Sequence, residues 1–181
     1  MRRFLTAGLM TVAMSGNALA CDVRLPDHVR ILDCRLAAAV SDAAVRSPML
    51  KDLLDRVERA DGLVYITQPP IVGPATRLLG GLSHDVSVAG RYRVLRIFVS
   101  GRLDDRTIAT VGHELRHALE VLELSTACTE AEVDALFERL GWQTGPRAVE
   151  TQAARDAGDA IWRELRASRL RGGSPDDELA P

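Results

Sequence analysis

The segment from Arg102 to Leu124 constrains the fold most. Ile108, Val111, Leu115, Ala118 and Leu122 recur three and four residues apart, the spacing of one apolar helix face. Asp104 or Asp105 can cap such a helix, which then runs for about five turns and must lie against a core. Inside it sits "VGHELRHAL", residues 111–119, with His113 and His117 four apart and Glu114 beside the first. Residues four apart share a helix face one turn apart, so two imidazole nitrogens can meet one point about 2 Å from each. The chain has four histidines, and half of them are spent on this pair.

The flanking sequence supplies the rest of a domain. "SPMLKDLLDRVERADG" predicts a helix with Ser47 as N-cap, Pro48 at the first helical position and Gly62 as stop. "CRLAAAVSDAAV" is a weaker helical pattern before it. "GLVYITQ" reads as a strand closed by Pro69 and Pro70. "LSHDVSV" and "RYRVLRIFVS" flank Ala89-Gly90 as a hairpin. After the histidine helix, "TEAEVDALFERLG" predicts a short helix with Thr129 and Glu132 as a capping box and Gly141 as its end. "GWQTGP" reads as a loop and residues 147–168 as the last helix. Strands followed by helices predict an α+β domain with a short antiparallel sheet.

The N-terminus reads as an export signal. "MRR", a short apolar run and Ala18-Leu19-Ala20 predict a signal peptide over residues 1–20. The run is too short to span a bilayer. A lipid anchor on Cys21 is the alternative; such signals prefer Leu three residues before the cysteine, and Leu19 lies two before. A folded domain is then expected over residues 21–170 and a disordered tail over 171–181, which is rich in Gly, Pro and acid. Outside the cytoplasm at least one disulfide among Cys21, Cys34 and Cys128 is expected, with a lean toward Cys21–Cys34 over Cys34–Cys128. The 23 basic and 25 acidic side chains form no basic stripe, which argues against a nucleic-acid partner.

A catalytic zinc site needs a third protein ligand. No Gly or His follows at the spacing that would complete it on the same segment; Glu120 and Glu123 hold those places. Glu150 is the preferred third ligand. Ala153, Ala154, Ala157 and Ile161 follow it as a small-residue stripe, which lets the last helix approach the histidine helix closely. A carboxylate carried into that interface is costly unless paired or metal-bound. Glu120 suits a supporting role as an acceptor for a ligand histidine. Asp134 could also reach in, with nothing in the pattern to favour it. Glu114, offset around the helix, suits a general base.

"GHELRHALE" together with "ETQAA" resembles the gluzincin branch of the zincin metallopeptidases, and small exported bacterial proteins of unassigned function. The resemblance spans residues 63–168 and rests on those two motifs. It implies a zincin-like domain in which His113, His117 and Glu150 hold Zn2+ and Glu114 is the catalytic base. The chain departs from larger gluzincins in having Ala154 where they carry Asp. It also lacks an identifiable oxyanion-stabilising residue; Tyr65, Tyr92 and His84 are the candidates, and His28 is not. The expected function is exported, zinc-dependent hydrolysis of a peptide or protein substrate, with the strand Arg91–Val99 as an edge beside it. The alternative is a zinc-binding or metal-free interaction domain without turnover.

Overall fold

The computed structural model describes residues 23–69, 79–145 and 148–172. The leader 1–20 and Cys21 lie outside these residues. The chain runs β1 (Val29–Ile31), α1 (Cys34–Arg46), α2 (Pro48–Arg59), β2 (Gly62–Thr67), β3 (Gly80–Ala89), β4 (Tyr92–Val99), α3 (Asp105–Leu124), α4 (Glu130–Leu140), β5 (Trp142–Gly145), β6 (Ala148–Glu150) and α5 (Gln152–Gly172). The fold is mixed α+β, with five helices among the described residues.

The main sheet has the order β1-β2-β4-β3. It is mixed, which corrects the antiparallel sheet expected from the sequence. β1 pairs with β2, and β2 with β4, in parallel; only the β3–β4 hairpin is antiparallel. The reason is β1, a three-residue strand too short to show a pattern. It makes α1 and α2 the crossover that a parallel pair requires. Val29, Val64 and Leu95 lie in register, as do Ile66 and Ile97, and all five are buried. Tyr65 and Arg96 face the other way and are half-buried and exposed. The strand Arg91–Val99, expected at an edge, lies inside the sheet as β4; the edges are β1 and β3, and β3 is the one beside it.

Helix ends follow local chemistry. Asp33, Ser47, Asp104 and Thr129 cap α1 to α4, and Thr129 with Glu132 forms the expected capping box. Helix α2 stops at Arg59, and Gly62 opens β2 instead of closing the helix. The segment read as a loop, "GWQTGP", contributes β5, which pairs with β6 as a separate antiparallel ribbon. The tail expected from residue 171 begins two residues inside α5, and the remainder lies outside the described residues. Cys128 is an exposed free thiol, so the Cys34–Cys128 pairing is not formed.

All five residues of the predicted α3 stripe are buried, and Ala154, Ala157 and Ile161 of α5 are buried with them. Buried Arg93 of β4 anchors the other end of α3. Its guanidinium donates to the carbonyls of Val121, Leu122 and Ser125 at 2.7–3.0 Å, and to Asp61 at 2.6 Å. The last carbonyls of a helix have no partner within it, and here a strand supplies one. No helix among the described residues is long and apolar enough to cross a membrane.

Candidate metal centre

Helix α3 places His113, Glu114 and His117 at the junction of the sheet, α4 and α5. The two rings are 4.9 Å apart between centroids and steeply inclined, at 78°. Glu150 comes to them from β6, not from the first turn of the last helix as the sequence suggested; α5 starts two residues later, at Gln152. The three residues bring one donor atom each to within 4.8 Å of one another. His113 Nε2 is 3.4 Å from Glu150 Oε1, and His117 Nε2 is 3.6 Å from the same oxygen.

Those two distances test whether a metal fits. They exceed the 2.7–3.2 Å usual for a hydrogen bond between nitrogen and oxygen. Two ligands about 2.1 Å from a tetrahedral zinc stand about 3.4 Å apart. Two neutral imidazoles and a carboxylate are also a ligand set that zinc takes in catalytic sites. The residues present therefore fit the ion.

Two of the three, His117 and Glu150, are oriented by a neighbour. His117 Nδ1 donates to Glu120 Oε2 at 2.9 Å, which leaves Nε2 as the free donor atom. Thr151 Oγ1 donates to the other Glu120 oxygen at 2.8 Å and accepts from Ala154 N at 3.2 Å, so it caps α5. Thr151 N–H donates to Glu150 Oε1 at 2.9 Å and pins that carboxylate. Thr151 was missed from the sequence. A signal for it was present: a Thr directly before an alanine-rich run is a favoured N-cap.

Two glycines set the approach distances. A Cβ at Gly141 would stand 2.1 Å from the backbone oxygen of Glu150. Its backbone is extended, so closeness and not handedness demands glycine there. A Cβ at Gly80 would stand 2.6 Å from Thr110 Cγ2 and 3.4 Å from Glu114 Cγ, where β3 crosses α3.

Burial dominates the protonation of the centre. It pushes the Glu114 carboxyl up to about 7, with the neighbouring His117 opposing it, as does a backbone hydrogen bond from Leu82. It lowers His113, against the attraction of Glu150. Burial also opposes charge on His117, but the hydrogen bond to Glu120 and the nearby Glu150 carboxylate outweigh it and raise the imidazole to about 9. For Glu150, burial is outweighed by the neighbouring His117 and His113 imidazoles and by the hydrogen bond from Thr151 N–H, and its pKa is lowered.

Two cavities meet at the three residues. The larger, about 590 Å³, opens between α3 and α5; the smaller, about 240 Å³, lies between β3, Phe137 of α4 and the β5–β6 ribbon. His113, Glu114, Glu150 and Gly80 line both. His84 lines the smaller one, stacked on Phe137, with Nδ1 2.5 Å from Asp134 Oδ1. Asp134 thus holds a histidine rather than reaching the ligand cluster. Tyr65 and Tyr92 line neither cavity. His28 packs edge-on against Tyr92. Comparison with known proteins found no matching family profile, no matching curated protein and no matching solved structure.

Proposed function

We propose that this chain is an exported zinc-dependent peptidase of the zincin type, with His113, His117 and Glu150 as ligands and Glu114 as general base. The observation that carries the reading is the pair of 3.4 Å and 3.6 Å separations, longer than usual hydrogen bonds and close to the edge of about 3.4 Å in a zinc tetrahedron. Export rests on residues 1–20, outside the described part of the chain.

Zinc bound here supplies a Lewis acid that polarises a carbonyl and brings the pKa of a water in its open position to about 7. The chain's own groups do the rest. Glu114, beside the ligands at the wall shared by both cavities, takes a proton from the attacking water and returns it to the leaving nitrogen. Its buried carboxyl, near 7 in the metal-free site, is matched to proton transfer at neutral pH. His84, held at Nδ1 by Asp134, lines the smaller cavity and is the side chain placed to face the oxygen that gains charge. Edge strand β3 offers backbone groups to an extended peptide, the part first assigned to residues 91–99. Glu120 does for His117 what an acceptor beyond the ligands does in such sites, and Ala154, fully buried, cannot.

The test is elemental analysis of purified protein followed by a peptide library. One zinc per chain, lost in His117→Ala, and cleavage abolished in Glu114→Gln with zinc retained, are the expected results. Zinc without cleavage of any peptide would reduce the reading to a binding module. No stoichiometric zinc would end it.

A further inference from the structure

The two cavities at the centre differ in chemistry. The smaller is walled by Leu82, Phe98, Phe137 and Val149 around His84. The larger carries Arg106 from α3, Arg155 from α5, Asp159, Trp162 and Leu79. Among the described residues neither Arg106 nor Arg155 makes an ion pair or a side-chain hydrogen bond. Both are exposed, whereas Arg46, Arg56, Arg93 and Arg169 have carboxylate partners. Arg155 is also held in place, its guanidinium 5.8 Å from the centroid of the Trp142 ring. Asp159 shares the wall and pairs with neither arginine; Glu114 and Glu150 are the other acidic groups of the lining, and both belong to the centre itself.

We propose that the larger cavity is a subsite for a carboxylate of the substrate, so that the preferred peptides present an anionic group on one side of the cleaved bond and a compact apolar residue on the other. This rests on the peptidase reading and names its substrate class. Two arginines without a carboxylate partner, one from each helix wall, line a space that also reaches Glu114 and Glu150. Arginine matches a carboxylate with paired donors, and such charge-assisted bonds are the stronger kind. Trp162, 39% exposed, offers an apolar face beside them for the stem that carries the charge. The carboxylate can belong to the chain terminus or to an Asp or Glu side chain.

The experiment uses the full zinc-loaded chain and matched hexapeptides: free against amidated C-terminus, and Glu against Gln at each position. Binding is read by calorimetry on Glu114→Gln, where nothing turns over, and cleavage on the unsubstituted protein. The carboxylate peptide is expected to bind about tenfold tighter, as one charge-assisted hydrogen bond provides, and less so at high salt. The double substitution Arg106→Gln, Arg155→Gln brings that ratio toward one, and Arg106→Glu with Arg155→Glu turns it toward Lys-containing peptides. Loss on amidation assigns the terminus; loss on the Gln exchange assigns a side chain. Equal binding of carboxylate and amide peptides at low salt overturns the subsite. Cleavage with no charge preference does so too and leaves the peptidase reading standing. Charge-selective binding with no cleavage by the unsubstituted protein does the reverse.

Discussion

His117 and Glu120, one turn apart on α3, are joined through Nδ1 and Oε2 at 2.9 Å, with both side chains almost fully buried. The same carboxylate accepts from Thr151 at the start of α5. One buried acid therefore fixes the tautomer of His117 and anchors the segment that carries Glu150.

Glu120→Gln should weaken zinc binding by about 10- to 100-fold while the fold survives, because the amide keeps the shape but not the charge behind His117. Glu120→Ala should cost more, since it leaves the Thr151 hydroxyl and the imidazole unpaired in a buried place. Competition with a chelator of known affinity reads both. Equal affinity in the Gln variant and the parent would remove Glu120 from the centre.

Gly141→Ala should destabilise the protein by about 2 kcal/mol and weaken zinc binding, because a Cβ there meets the Glu150 carbonyl at 2.1 Å and must push β6 away. Gly145→Ala, in the same ribbon, meets only the Ala148 Cβ at an ordinary 3.7 Å and serves as control. Thermal melts with and without zinc compare the two. Similar melts for both variants would contradict the positioning role.

The metal-free protein should lose stability as pH rises from about 7 to 9. The His117 imidazole stands at about 9, above its ordinary 6.5, despite burial, because Glu120 and Glu150 hold its charged form. A raised group contributes fully below the unfolded value and loses that contribution as pH passes the folded one. Glu114, raised from 4.5 to about 7, acts with the same sign but at lower pH. His113, lowered by burial, acts with the opposite sign below its ordinary 6.5. Zinc must displace the His117 proton, so zinc affinity should climb over the same window. Urea denaturation in chelator at pH 6.5, 8 and 9 checks the first point; stability that rises toward pH 9 would refute it.

Arg93→Met should cost about 3 kcal/mol, because three carbonyls at the end of α3 lose their buried donor. Asp61→Asn should cost less than 1 kcal/mol, since Asp61 is 61% exposed and its pair with Arg93 is screened. Urea midpoints of the two variants decide, and comparable losses would show that the helix-end role is overstated.

His84→Ala should lower kcat on a cleaved peptide by about a hundredfold with zinc content unchanged, the loss expected for one donor to a developing oxyanion. Asp134→Asn should fall in the same direction by a smaller factor. Unaltered kcat in His84→Ala would leave His84 as a wall of the cavity only.

Much of this molecule was legible in the order of its residues. The period of α3, the caps at Ser47 and Thr129, and the shared helix face of His113 and His117 are local properties, set within one or two turns of chain, so sequence alone determines them; at α3 it left Asp104 and Asp105 both open, and the fold took Asp104. The alanine stripe of α5 likewise announces a close helix contact. What the tertiary structure decided is everything that depends on distant partners. β1 is too short to carry a pattern, yet it turns two helices into a crossover and makes the sheet mixed. β4 lies inside that sheet because β2 covers one side of it, which moves the open edge to β3. Glu150 sits in a short ribbon paired with residues 142–145, where strand pairing overrode the helical spacing that follows. Thr151, Glu120 and Gly141 gain their roles only when α3, β6 and α5 converge, since packing, not spacing, sets the 3.4 Å between His113 and Glu150.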